Sequence, residues 1–308
     1  MDGPERVAVS SAKDRPVGLL ILGNINLDLI LGPLDDWPTR GTEALVAQQQ
    51  WRVGGNAGNA VIAAQALGVD FMSFSTIGHD FAGEWLKAQL GSQVNWTASD
   101  ESTSVSVAVT HADGERTFIS HLGHLQTLCV QQLSPLPASR YALLAGAFLT
   151  PALRREYPAL LAHFAKQQTR VALDMGWPDE GFTEALRNEV AQWLPQAHYL
   201  LINEIEACGL SGCSTAQDAL LSLAGRLPPD GTVVIKRGGQ GVLVYQQNES
   251  HVIAAPQVNV IDSVGAGDTW NTAFLSELLQ GSTVTKACTQ ATLVASRVIS
   301  TSPRIYTV

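Results

Sequence analysis

Residues 262–271, "DSVGAGDTWN", set two glycines around an alanine, close on an aspartate and then turn apolar at helical spacing. The preceding "QVNVI" (257–261) reads as a strand. Downstream, Trp270, Phe274, Leu275 and Leu278 share one helical face, and Gly281 supplies a stop. The glycine loop therefore falls at a strand-to-helix junction. Gly265, Ala266 and Gly267 have almost no side-chain bulk, so their backbone N–H groups are open to an anion. The helix N-terminus adds about half a positive charge. Asp268 lies in the first turn, where the same dipole favours its carboxylate. A carboxylate beside an anion site repels a bound phosphate unless something lies between them. A hydroxyl that gives its proton to Asp268 while attacking phosphorus is one such group. An ordinary glycine turn followed by a first-turn aspartate has the same local pattern.

A second glycine site is "VGGNAGNAVIAAQALG" (53–68). Gly54 and Gly55 precede a helix that stops at Gly68, with Asn56 and Asn59 at its start. Asparagine capping explains that arrangement; a polyol pocket lined by amides and bare backbone explains it equally. Asn26 and Asp28, after the first apolar run "VGLLILGNINLDLI" (17–30), add acceptors for adjacent hydroxyls. No G-x-x-x-x-G-K-[ST] loop occurs, and no G-x-G-x-x-G follows the first strand, which argues against a P-loop enzyme and a nicotinamide dehydrogenase.

The rest of the 308-residue chain sets the frame. "YALLAGAF", "RVALDMG", "HYLLIN" and "TVVIKRG" are short apolar strands separated by helical segments at 152–168, 179–194 and 215–226, the spacing of βαβ units. Segments around 40–52 and 103–121 alternate apolar and polar residues, and "HADGE" (111–115) marks a hairpin turn. They read as a small β-sheet lid inserted into the first third of the chain, or as edge strands of the main sheet. The apolar alternates Val105, Val107 and Val109 need cover, over a ligand or against a second subunit. The expected fold is α/β, a three-layer sandwich around a mostly parallel sheet. Residues 1–16 form a loose arm and 17–308 one domain. The net charge of −9 argues against a nucleic-acid surface. Four cysteines without metal spacing, and no signal or membrane-length run, lead to the expectation of a cytoplasmic protein.

Both glycine motifs resemble those of the ribokinase-like (PfkB) family of carbohydrate kinases. "LILGNINLDLI", "NEIEACGL" (203–210) and "VVIKRGGQGVLV" (233–244) resemble further family segments in order, over about 17–300. The resemblance implies an ATP-dependent sugar kinase, with a nucleoside kinase or a catalytically silent sugar-binding regulator as alternatives. Asp268 would be the base, and Gly265, Ala266 and Gly267 the anion hole. Asn26, Asp28, Gly54, Gly55, Asn56 and Asn59 would contact the sugar. Asn203, Lys236, Gly238, Gly241 and Gly267 would border ATP, and Glu206 would hold magnesium through water. Asp262 and Val264 would lie by the monovalent-cation (K+) site that many members carry, with its far ligands around 296–303. The lid would form a homodimer surface. One departure stands out: Gly146 and Ala147 occupy a wall where relatives place a polar sugar contact, which suggests a bulkier substrate.

Overall fold

The computed structural model describes residues 15–112 and 116–307. Strand β1 spans Val17–Gly23, β2 Asn26–Leu34, β3 Gln48–Gly54, β4 Phe71–Ile77, β5 Val94–Ala98, β6 Val105–His111 and β7 Arg116–His121. Then follow β8 Ser139–Ala145, β9 Arg170–Asp174, β10 Tyr199–Asn203, β11 Thr232–Lys236, β12 Val242–Gln246 and β13 Glu249–Ile253. The helices are α1 Asn56–Ala66, α2 Phe81–Leu90, α3 Val130–Leu133, α4 Pro151–Arg155, α5 Tyr157–Lys166, α6 Glu184–Ala191, α7 Glu204–Ser211, α8 Ala216–Ala224, α9 Ala266–Leu279 and α10 Val284–Ile299.

Nine strands make one sheet in the order β13-β12-β11-β10-β9-β8-β1-β4-β5. It is parallel from β5 to β11, and β12 and β13 close one edge antiparallel. Its strands are apolar on both faces, as a sheet covered twice requires. Leu20 and Leu22 of β1, with Leu200 and Ile202 of β10, pack among α4–α8. Leu19 and Ile21, with Tyr199 and Leu201, pack on the opposite side among α1, α9 and α10. The three expected layers are thus present. Phe274, fully buried, lies in this second layer, stacked on Trp270 at 5.2 Å and met edge-on by Tyr199 at 5.5 Å.

The small sheet is separate, with the order β3-β2-β6-β7, so these strands are not edges of the main sheet. It corrects the sequence reading in three ways. The first apolar run is two strands, not one: β1 ends at Gly23, the chain turns at Asn24, and β2 leaves for the small sheet. The lid strand expected around 40–52 is β3, shifted to Gln48–Gly54. The side of the sheet that meets the main domain's glycine loop is the polar one. Asp28, Arg52, Ser106 and Ser120 are aligned across β2, β3, β6 and β7, and Arg52 and Arg116 bond Asp262. Val105, Val107 and Val109 therefore point the other way; Val105 packs with Leu27, Ile77 and Leu86. The Asp113–Gly114 turn, and residues 1–14 of the expected arm, lie outside the described residues.

"QVNVI" is not a strand. Residues 257–261 run unpaired, with Val260 and Ile261 each 59% exposed, and the chain is held instead where Ile261 and Asp262 N–H both donate to Ile299 O, at 2.8 and 3.1 Å. Their alternation has no sheet neighbour to pair with, and pairing decides a strand. Among the described residues no helix is long and apolar enough to cross a membrane.

Because α9 carries the glycine loop on its N-terminus, its anchoring in the core sets the loop's position. Phe274→Ala is expected to cost about 3–5 kcal/mol, read as a lower urea midpoint at unchanged slope; a variant as stable as wild type would show that α9 is held from elsewhere.

Candidate active site

The glycine loop opens α9 as the motif suggested. Gly265 is its N-cap in the left-handed region, φ 74°, with no side chain capping the helix. The N–H groups of Gly267 and Asp268 find no backbone acceptor among the described residues. A Cβ on Gly267 would sit 3.3 Å from Lys236 Nζ, so the missing side chain keeps the space between loop and lysine clear. This is a cradle that fits a phosphoryl group.

Asp268 is buried and bridges two elements. Asn56 Nδ2 donates to its Oδ1 at 3.0 Å, and Asn59 Nδ2 to its Oδ2 at 2.9 Å. The two asparagines of α1 thus do not cap their own helix. Asn24 serves that end: its Oδ1 accepts from Asn56 N at 3.0 Å, and its carbonyl from Ala57 and Gly58 N–H. Asn24 was missed from sequence, because a polar residue in an apolar run carries no pattern.

Three further groups converge from the carboxyl ends of adjacent strands. Asp174 ends β9, Asn203 ends β10 and Lys236 ends β11. Lys236 Nζ donates to Asp174 Oδ2 at 2.9 Å and to Asn271 Oδ1 at 3.0 Å, while Asn271 Nδ2 donates to Asp174 Oδ2 at 2.5 Å. Asn203 and Glu206 cap α7 reciprocally: Asn203 N–H donates to Glu206 Oε2 at 2.9 Å, and Glu206 N–H to Asn203 Oδ1 at 2.8 Å. Asp174, Asn203, Glu206 and Lys236 line one cleft of about 350 Å³ with Gly238, Gly241 and Gly265–Asp268. Asp174 and Asn271 were not singled out as site residues; they become so only when the strand order is known.

The cleft holds more carboxylate than cation. Burial, and then the nearby Asp174 carboxylate, raise the pKa of Asp268 to about 7, against Asn59, Lys236 and Asn56. Burial and Asp174 likewise raise Glu206. Asp174, Glu206 and Asp268 face a single lysine, an imbalance that a divalent cation would relieve. Among the described residues no group of three or more His, Cys, Asp or Glu could hold a metal alone, so magnesium here would lean on phosphate and water.

Asn26 and Asp28, expected to meet a polyol, lie on the small sheet. Asn26 Nδ2 donates to Asp28 Oδ1 at 2.7 Å and reaches Ser106 Oγ at 3.3 Å; Ser106 Oγ pairs with Ser120 Oγ at 2.8 Å. Burial raises Asp28 to about 6, opposed by Asn26, Arg52 and Arg116. A Cβ at Gly54 would lie 2.1 Å from Asp28 Oδ1, and one at Gly55 2.7 Å from Asn26 Oδ1. Both glycines are there for the close approach of these polar side chains. The expected roomier wall at Gly146 is corrected for the same reason: a Cβ there would meet Asn24 Oδ1 at 1.9 Å, so Asn24 already occupies that space. Trp51 lies on the opposite face of the small sheet, against Phe81.

Asp262 and Val264 precede the glycine loop, but arginines take the oxygens they would offer a cation. Arg52, Arg116 and Arg304 all bond the Asp262 carboxylate. Burial pushes that carboxyl up, yet the bonds from Arg116 and Arg52 more than offset it and hold it well below the usual range. A bare monovalent cation does not fit this donor set.

Comparison with known proteins follows this geometry. The family model described as "pfkB family carbohydrate kinase" matches residues 18–306. A ribokinase of Haemophilus influenzae is 30% identical over 275 residues, 85% of each chain. A ketohexokinase of Mus musculus is 24% identical over 285 residues, 88% of this chain and 90% of that one. Among solved structures, Arabidopsis thaliana ribokinase complexed with ribose and ATP superposes with a TM-score of 0.76 at 19% identity, covering 94% of this chain and 95% of that one.

The raised carboxylates make a stability prediction. An acid whose folded pKa lies above its unfolded value holds its proton more tightly when folded, so its stabilisation is present at low pH and lost as pH rises through the folded pKa. Asp268→Asn removes that burden. The ligand-free variant is expected to melt a few degrees above wild type near pH ~8, with the gap closing as pH falls to about 4, the unfolded carboxyl's range. Equal melting at both pH values would mean that the Asp268 carboxylate is not strained by its burial.

Proposed function

The chain belongs to the pfkB family of carbohydrate kinases, and on that premise we propose that it transfers the γ-phosphoryl group of ATP to a hydroxyl of a small sugar or sugar derivative. Membership makes it a phosphotransferase with an alcohol group as acceptor, a sugar or nucleoside kinase. One observation carries the finer reading: a buried Asp268, held by Asn56 and Asn59, stands at the open N-terminus of α9 beside Lys236.

In this reading Asp268 takes the proton of the attacking hydroxyl. The hydroxyl oxygen bonds to the γ-phosphorus, the bond from that phosphorus to the β–γ bridging oxygen breaks, and ADP leaves. The raised pKa of Asp268 suits a base that works near neutrality. The small side chains of Gly265, Ala266 and Gly267 leave the Gly267 and Asp268 amides open to stabilise charge on the transferring group. Lys236, Asn203, Gly238 and Gly241 border the nucleotide. Magnesium, when bound, would screen the phosphate oxygens, with Glu206 holding it through water. Asn26, Asp28 and the backbone at Gly54 and Gly55 would hold the sugar hydroxyls.

A nucleoside acceptor is the second reading, on one specific feature. Phe118, half exposed, stands on the same face of the small sheet as Asp28 and Ser106 and offers a ring for a base to stack on. The opposite face carries Ile119 (55% exposed) at one edge and, at the other edge on β3, Trp51 against Phe81. That exposed apolar surface supports a homodimer formed through the lid.

ADP release from Mg-ATP, measured against a panel of sugars, sugar acids and nucleosides, tests the reading. A sugar is expected to give the highest kcat/KM; preference for a nucleoside would install the second reading, and release with none would overturn both. Asp268→Asn should then lower kcat by about 10²–10⁴. Asp28→Ala should raise the sugar KM about tenfold or more, since charged hydrogen bonds contribute roughly 1.5–3 kcal/mol, while the ATP KM stays nearly constant.

A further inference from the structure

Arg304 lies in the tail that follows α10. The tail is folded back by Ile305 N–H donating to Thr301 Oγ1 at 2.9 Å and Thr301 Oγ1 donating to Arg297 O at 2.9 Å. Its guanidinium enters the turn just ahead of the glycine loop. There Nη2 donates to Val264 O at 2.7 Å and to Asp262 Oδ2 at 2.9 Å, and lies 3.5 Å from Asp262 O. One nitrogen thus sits among three oxygens of a single turn, two of them backbone carbonyls. The turn is also closed on itself, since Val264 N–H donates to Asp262 Oδ1 at 3.1 Å.

These are the oxygens at which the family resemblance sets a monovalent cation. A second cation has neither ligands nor a favourable field here. Arg52, Arg116 and Arg304 bring three positive charges to one carboxylate, and the four side chains are each no more than a fifth exposed. Arginine keeps its charge at any working pH and needs no binding equilibrium.

We propose that Arg304 is a built-in replacement for the monovalent cation: its guanidinium fixes the Asp262–Val264 turn, and through it the Gly265–Gly267 amides, so that turnover needs no potassium. Arg304 is a positioning residue. It touches no reacting atom; it acts through the turn that sets the anion hole. The turnover part of the proposal rests on the kinase reading, whereas the binding part does not.

The experiment has two arms, both at constant ionic strength in potassium, sodium or choline chloride. In the first, thermal unfolding of the wild-type protein is expected to be the same in all three salts, because no site is left for potassium to stabilise by binding. Arg304→Ala opens the turn, and its melting temperature is expected to rise in potassium over choline. In the second arm, wild-type kcat is expected to be indifferent to the salt. Arg304→Ala should lose about tenfold or more in kcat with little change in sugar KM. Low, non-denaturing guanidinium or potassium should restore part of that loss. Arg304→Lys, which keeps the charge, should fold and retain more activity than Arg304→Ala, and it serves if the alanine variant does not fold. Potassium that raises wild-type kcat or melting temperature would overturn the proposal, as would an Arg304→Ala enzyme with wild-type kcat. If no acceptor is phosphorylated at all, the kinase reading fails while the melting arm still decides the cation question.

Discussion

Burial of carboxylates that outnumber their cations is the constraint around which the cleft is organised. Asp174, Glu206 and Asp268 stand in a space served by Lys236 alone, and the ionised forms of Glu206 and Asp268 are disfavoured by loss of water and by the neighbouring Asp174. The surrounding amides answer this without adding charge. Asn56 and Asn59 donate to Asp268, Asn271 to Asp174, and the Asn203 backbone to Glu206. Neutral donors stabilise a carboxylate while leaving the net field negative, which favours the cation that would accompany a triphosphate and offset its charge. Had each carboxylate its own lysine, the cleft would be electrostatically satisfied when empty and would gain less by binding.

That arrangement is a product of sheet order. Asp174, Asn203 and Lys236 end three successive parallel strands, β9, β10 and β11, and so open side by side at the carboxyl edge where open α/β sheets bind ligands. The register makes this literal: Asn203 is opposite Lys236. Helix α9 then brings its N-terminus to the same edge, and α1, packed beside it in the same layer, supplies its two asparagines. Replacing any one strand's final residue would therefore alter the charge balance without disturbing the buried apolar run behind it.

The parts of this site that were legible in the sequence are the local ones. Gly265–Asp268 and Gly54–Asn59 can be read because backbone freedom, helix start and polar side chains all fall within one short window. The βαβ spacing exposed the parallel sheet for the same reason. Asp174 and Asn271 were invisible, since their meaning lies in contacts 97 residues apart. The split between β1 and β2 was hidden because the apolar spacing resumes past Gly23 and Asn24, although in a strand of a different sheet. Residues 257–261 misled in the opposite direction: they alternate like a strand but have no partner. The apolar alternates of the small sheet needed cover, over a ligand or against a second subunit; the first alternative fails, because the polar face meets the turn before the glycine loop while the apolar face meets α2 in part.

Strand β2 shows why that small sheet must be placed without slippage. Leu27 is packed with Ile77 and Leu86, and its neighbour Asp28 faces Gly54, Asn26 and the arginines of β3 and β7. A shift of one residue would expose the leucine and bury the aspartate in apolar surroundings. The same strands carry Arg52 and Arg116 to Asp262, so the sheet is tied by charge to the turn that leads into the anion hole. Lifting the sheet would strand a half-buried carboxylate with Arg304 alone and leave two arginines unpaired. Opening is thus opposed by the ion cluster as well as by packing, and the position of the sheet and the shape of the anion hole are not independent. A ligand that bridges Asp28 and Asp268 would reinforce the closure this cluster already favours.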